Sequence, residues 1–376
     1  MQSIKENMEM SKNSNIAIIG GGPGGLLLAR MLHMTGVAFT VFESDESPVH
    51  RGQGGMLDLH AETGQYAMKR AGLFTEFQSF ARYEDQGIRL YDKHGALVFK
   101  DDSADGDRPE IDRSQLRTLL LRSFPQEAIC WGYRLSEALQ LADGTVELRF
   151  TNGVVRQFDF VVGADGAWSK VRPLVSTAKP QHTGLSYFEL SIADVDRRYP
   201  DVAALVGRGT SIAKGDGKSI FAQRNSNALI RVYAALPRGD EPDVAETKES
   251  ILAHFADWDA GLLQLFHAAD EDVRPWPVYT LPAGHHWEHH AGITLIGDAA
   301  HLMPPAGEGA NLALRDAADL ADALTQGGDR SRAVQAYEAV MFARAKTAAD
   351  DAMHILAAGS SEDGLEVFRK LMSGEV

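Results

Sequence analysis

Gly20, Gly22 and Gly25 lie in the stretch IAIIGGGPGGLLLARML, where a G-x-G-x-x-G spacing follows one apolar run and opens the next. At that spacing one glycine makes the turn, one lets the backbone approach a pyrophosphate and one permits close packing of helix on strand. The start of the helix then offers amide donors and partial positive charge to the phosphates. Glu43 closes the following apolar run, about 20 residues on, where a carboxylate accepts hydrogen bonds from ribose hydroxyls. The implied chemistry is dinucleotide binding, with NAD and FAD both open.

Two further segments carry acids in the same kind of place. VVGADGAWSKVR sets Asp165 and Gly166 after an apolar run, and LIGDAAHLMPPAGEGANLAL sets Gly297 and Asp298 after another. An acid at the C-terminal edge of a parallel strand faces the crevice in which such sheets bind ligands. A tight strand-to-helix turn without a ligand is the plainer alternative, although the glycines at 307 and 309 cost conformational order that a close-lying ligand would explain.

The elements that position these residues follow from periodicity. NIAIIG reads as a strand, GGPGG as a turn, LLLARMLHMTG as a helix ended by Gly36, and VAFTVFE as a second strand. Such alternation predicts a parallel sheet buried on both faces. RSQLRTLLLRSF reads as an amphipathic helix and FDFVVGADG as a further strand. Residues 180–280 change character, with SIFAQR and ALIRVYAAL alternating like antiparallel strands that keep one wet face. A helix-rich tail begins near Leu312, with AVQAYEAVMFARAKTAADDAMHILAAG long and regular. The fold class expected is α/β: a Rossmann-like domain from 14–76, 103–178 and 280–330, a β-rich substrate lobe from 77–102 and 179–279, and a bridging C-terminal helical segment over 331–376.

Bulk composition narrows the function classes. A chain of 376 residues exceeds what one core usually fills, so two lobes are expected. The net charge of −15 repels phosphate backbones and anionic lipid, which argues against nucleic-acid or membrane partners. Cys130 is the single cysteine, so no internal disulfide forms. The polar first 14 residues do not read as an export signal and the first apolar run is broken by glycines, so a cytoplasmic monomer is expected.

Taken together and in this order, the three glycine and acid segments resemble the class A FAD-dependent monooxygenases, the group built like aromatic hydroxylases. The similarity spans nearly the whole chain. Within that group GGMLDLHAETGQYAMKRAGL, EIDRSQLRTLLL and GDAAHLMPP most resemble the tetracycline-inactivating monooxygenases. The resemblance implies that Glu43 binds the adenosine ribose, Asp298 the ribitol of FAD, and Asp165 the pyrophosphate region and the passage of NADPH or NADH. Arg117 would lie along the cofactor, and Arg51 near the isoalloxazine and nicotinamide. Pro304, Gly307, Gly309, Ala310 and Asn311 would form the ring loop, with Arg51, Pro304 and Gly307 positioning the flavin edge where reaction occurs and no general base assigned. The helix starting near Asn311 would favour negative charge on reduced flavin.

The implied reaction runs through FAD: NAD(P)H delivers hydride, reduced flavin captures O2 as a C4a-hydroperoxide, and one oxygen passes to an aromatic, phenolic or polyketide-like small molecule. Phe188, Phe221, Tyr233, Met303 and Pro304 are expected pocket walls. AKGDGKS and the short MPPAGEGAN loop depart from the tetracycline-inactivating pattern. A flavin-dependent dehydrogenase or reductase and a non-catalytic FAD-binding sensor are the alternatives.

No metal site is expected. DDSADGDRPEID matches part of an EF-hand loop, but Arg108 and Pro109 interrupt it and Asp112 is shorter than the usual bidentate glutamate. GHHWEHH has four histidines, yet Pro282 and Gly284 favour a loop over the helix that would pair them. His301 is expected to pack or hydrogen-bond under the cofactor.

Overall fold

The computed structural model describes residues 15–49, 54–103, 106–239, 245–361 and 363–375. Arg51 lies outside the described residues. The first sheet takes β1 (Ile16–Ile19), β2 (Phe39–Glu43), β7 (Ile129–Trp131), β11 (Phe160–Gly163) and β17 (Ile293–Leu295). Its order is β17-β11-β1-β2-β7 and every pairing is parallel. Ile16, Ala17, Ile18, Val41, Val161, Val162, Ile293 and Leu295 are buried in one core, as expected for strands covered on both faces.

Helix α1 (Pro23–Thr35) crosses from β1 to β2. The stretch GGPGG was expected to be a turn throughout, but the helix already begins at Pro23, because the fixed φ of proline suits the first helical position and its missing N–H costs nothing there. Gly36 ends the helix at φ 72°, in the left-handed conformation that glycine tolerates. Helix α2 (Arg113–Leu121) packs its leucines 116, 119, 120 and 121 into the same core.

The second large sheet takes β4 (Gly87–Asp92), β5 (Leu97–Asp101), β12 (Gln181–Ile192), β13 (Gly209–Gly215), β14 (Lys218–Asn225), β15 (Leu229–Pro237) and β16 (Arg274–Thr280). Its order is β16-β12-β15-β14-β13-β4-β5, antiparallel except where β13 runs with β4. Period-2 alternation divides its residues between two faces. Phe188, Leu190, Ile192, Ile220, Ala222, Ile230, Val232 and Ala234 point into an apolar core shared with α3 (Lys248–His254) and α4 (Ala260–His267). Tyr187, Glu189, Phe221, Gln223, Arg231 and Tyr233 occupy the alternate positions and so belong to the other face.

A small antiparallel sheet of β8 (Leu135–Gln140), β9 (Val146–Phe150) and β10 (Val155–Phe158) sits beside the parallel sheet. A two-stranded ribbon of β3 (Met56–Asp58) and β6 (Glu110–Asp112) meets the large sheet. There Asp112 hydrogen-bonds the Ser226 hydroxyl in the turn between β14 and β15.

Helix α5 (Gly309–Thr325) starts two residues before the expected point. Helix α6 (Arg330–Ser360) is long enough to touch both lobes: its Arg344 pairs with Asp316 and Asp319 of α5, and its Ile355 and Leu356 pack with Phe221 of the large sheet. Helix α7 (Gly364–Ser373) follows it. Among the described residues no helix is long and apolar enough to cross a membrane.

Candidate FAD site

The glycine turn is built as its spacing demands. A Cβ on Gly25 would strike the Gly20 carbonyl oxygen, and one on Gly20 would strike the Ala164 carbonyl. Around Gly22 nothing stands within 4 Å of where a side chain would begin, so the N-terminus of α1 opens freely. Glu43 is buried at the end of β2 and accepts the Gly21 amide at 2.6 Å and the Asp45 amide at 2.8 Å. Those bonds leave further lone pairs on a carboxylate, so it can stiffen the turn and still accept from a ribose.

Asp165 and Asp298 lie one after β11 and the other after β17, at the C-terminal edge of neighbouring strands. Arg172 ties them together: its guanidinium donates to the carbonyls of Ala299 at 2.8 Å, Ala167 at 2.9 Å and Asp298 at 3.0 Å. Asp165 Oδ2 accepts the Lys170 amide at 2.7 Å, while Oδ1 is buried with no hydrogen-bond partner among the described residues. Burial pushes the Asp165 pKa up, against the lowering hydrogen bonds from Ser169 and Lys170. Such an orphaned acceptor suits a ligand that donates to it.

Asp298 is exposed, with its Oδ1 3.8 Å from where a Gly309 side chain would begin. Beneath it, Asp316 accepts the Gly297 amide at 3.0 Å, His301 Nε2 at 2.6 Å and Arg344 Nη2 at 2.9 Å. His301 is buried and held by Asp316, in the place of a support under the turn.

The ring loop is closed by a second set of contacts. Gly307 adopts φ 91° and is exposed, Pro304 is buried, and Gly309, Ala310 and Asn311 form the first turn of α5. The side chain of Asn311 is spent within the protein: Oδ1 accepts the amides of His60 at 3.0 Å and Gly64 at 3.2 Å, and Nδ2 donates to the carbonyls of Asp58 at 2.8 Å and Gly307 at 3.1 Å. Any cofactor contact at Asn311 therefore falls to its backbone amide, one of the unpaired donors of the helix start. His60 adds a second tie, with Nε2 2.8 Å from Asp58 and Nδ1 3.1 Å from Glu308.

Arg117 is buried and faces Asp45 at 3.4 Å, with its guanidinium 5.6 Å from the ring centre of Trp131. That places it beside the Glu43 end of the sheet.

The expected pocket walls separate. Phe221 and Tyr233 are cross-strand partners, and the Tyr187 ring packs tilted against Phe221 with centroids 5.8 Å apart. Phe188 does not join them: it is fully buried on the opposite face, under the Arg238 guanidinium, so its expectation is corrected by strand alternation. Met303 is buried against Leu312 and the α6 alanines 348, 349 and 352. Asp58, His60, Glu308, Glu110, Gln223, Arg231 and Glu189 were missed by sequence reading. Polar residues at alternate positions of apolar strands were a signal for the last three, whereas Glu110 is found only through its pairing with Asp58.

The residues fit FAD: a glycine turn at a helix start, a buried carboxylate for ribose, an exposed one beside a glycine, and an orphaned acceptor between them. The model of the FAD binding domain family matches residues 13–352. The monooxygenase asqM of Emericella nidulans is 31% identical over 435 residues, covering 95% of this chain and 98% of the relative. Among solved structures, HpxO of Klebsiella pneumoniae with FAD and uric acid aligns with TM-score 0.80 at 20% identity, over 95% of this chain and 92% of that one. The tetracycline destructase Tet(51) aligns with TM-score 0.72 at 18% identity, over 96% of each chain. The chain belongs to the FAD-binding family of class A flavin monooxygenases.

Proposed function

We propose that this protein is an NAD(P)H-consuming monooxygenase that hydroxylates an aromatic, phenolic or polyketide-like small molecule. One observation carries the reading: the ring loop at 304–311 is tied through Asn311 and His60 to the β3 ribbon, and that ribbon abuts the Phe221 and Tyr233 face of the large sheet. The loop would hold the flavin, and the Phe221 and Tyr233 face would supply a wall able to hold a ring beside it.

Bound FAD supplies the redox chemistry, accepting hydride and activating O2. The chain's own residues do the rest. Glu43 and Asp298 hold the two hydroxyl-bearing arms of the cofactor, Arg172 fixes the two turns, and the helix start at Gly309 favours negative charge beside it. The buried Pro304 and Met303 exclude water from one side. Arg51 stands in this reading as the cation near the nicotinamide.

The test is turnover of the FAD-loaded protein with NADPH or NADH, O2 and a panel of phenols, nitrogen heterocycles and oxytetracycline, with products read by mass spectrometry. Gain of one oxygen atom identifies the substrate. Oxytetracycline left unchanged while a phenol is hydroxylated would remove tetracyclines from the substrate class. Flavin reduction without oxygen incorporation into any compound would instead favour a reductase.

A further inference from the structure

Three strands of the large sheet bring Glu189, Arg231, Tyr233 and Gln223 together on one face. Glu189 lies opposite Tyr233 between β12 and β15, and Gln223 lies opposite Arg231 between β14 and β15. Glu189 is buried and accepts from the Arg231 guanidinium, and from Trp276 Nε1 at 3.1 Å. This pair is neutralised and held, so it makes a stiff base for its neighbours.

The neighbours are half-buried. The Tyr233 hydroxyl and the Gln223 carboxamide have no hydrogen-bond partner among the described residues, and neither is a fully buried atom. Both face the same point of the β3 ribbon: a Cβ on Gly55 would lie 2.8 Å from the Tyr233 hydroxyl and 3.5 Å from Gln223 Oε1. Burial raises the Tyr233 pKa to about 12, so the hydroxyl remains a neutral donor. Beside them Phe221 and Tyr187 give an apolar aromatic surface.

Gly55 and Asp58 are three steps apart along the chain, with Met56 and Leu57 between them, and Asp58 Oδ1 stands 3.8 Å from where a Gly307 side chain would begin. An extended segment of that length spans about 10 Å. The polar groups therefore sit one small fused ring system away from the ring loop.

We infer that Tyr233 and Gln223 form a hydrogen-bonding edge that reads an aromatic substrate carrying a carbonyl oxygen next to an N–H or O–H, such as a lactam or an ortho-hydroxy ketone. Tyr233 donates to the carbonyl, Gln223 Oε1 accepts the adjacent proton, and Phe221 lies along the ring. Arg231 and Glu189 are positioning residues. The inference deepens the proposed function and rests on it for the reaction, though the binding step stands by itself.

The experiment titrates FAD-loaded protein by calorimetry with two probes of one shape, isoquinolin-1-one, which has the lactam edge, and isoquinoline, which lacks it. Each lost hydrogen bond in such a site weakens binding by about tenfold. Tyr233→Phe and Gln223→Leu should each weaken isoquinolin-1-one by about that factor and leave isoquinoline within about twofold, while Phe221→Ala weakens both. Equal losses for both probes, or no binding of isoquinolin-1-one to the wild type, would overturn the edge. Oxygen incorporation is read separately: binding as stated without hydroxylation of any substrate overturns the reaction and keeps the edge, whereas hydroxylation of other compounds with no lactam preference does the reverse.

Discussion

Asp58 and Glu110 face each other across the antiparallel β3 and β6 ribbon, so two carboxyl groups share one end of the ring loop. Glu110 Oε2 is buried without a hydrogen-bond partner among the described residues. Burial and the Asp58 charge push the Glu110 pKa up to about 8, only partly offset by Arg82. His60 moves the same way: burial opposes its charge, yet hydrogen bonds to Asp58 and Glu308 raise it to about 9.

The sign of the pH dependence follows by linkage. Below the ordinary glutamate pKa of 4.5, Glu110 is protonated folded or unfolded and costs nothing. Its cost grows as pH rises from there and is complete above about 8. The His60 pairing is fully stabilising below 6.5 and is lost as pH rises through about 9. Stability should therefore fall from neutral toward pH 9, and Glu110→Gln should fall less. Melting curves at pH 6 and pH 9 should show the variant gaining about 2 °C or more on the wild type between the two; parallel curves would count against a buried, proton-holding Glu110.

Asn311→Leu removes four hydrogen bonds that join the helix start to residues 58–64. It leaves the buried Gly64 amide, the part-buried His60 amide and two part-buried carbonyls without these partners at near-constant volume. A loss of about 2–4 kcal/mol in denaturant unfolding is expected, together with weaker FAD retention.

Arg172→Lys keeps the charge and loses the fork. A lysine ammonium cannot span the carbonyls of Ala167, Asp298 and Ala299 as the guanidinium does. FAD affinity should fall by about tenfold with the circular dichroism spectrum unchanged. Unaltered affinity would mean that the two turns hold their positions without this bridge.

Asp298→Ala should strip FAD from a folded protein, because the Asp298 carboxylate is exposed and makes no hydrogen bond among the described residues that folding would lose. Flavin absorbance after gel filtration reads occupancy, and full occupancy in the variant would refute the ribitol assignment.

Arg51→Ala should slow flavin reduction by NAD(P)H more than it weakens FAD binding. Stopped-flow reduction under anaerobic conditions measures the first and equilibrium titration the second; equal reduction rates in variant and wild type would remove Arg51 from hydride transfer.

What the chain determined locally was legible before any coordinates. The glycine spacing, the acids after apolar runs and the change from helical to alternating period are properties of neighbouring residues, and local sterics and strand alternation translate them directly. The end of α1 at Gly36 belongs to the same class, whereas its start at Pro23 falls inside the stretch read as a turn. Tertiary structure decided what depends on pairing across distance. Phe188 and Tyr187 are adjacent and similarly aromatic, and only the side of the sheet that α3 and α4 cover separates core from site. Three of the four partners of Asn311, at His60, Gly64 and Asp58, lie about 250 positions away, and the Asp58 and Glu110 pairing is set by a strand register with no counterpart in either segment alone. Hydrogen bonds and buried charges are properties of pairs, so a sequence shows the candidates and the fold selects which of them meet.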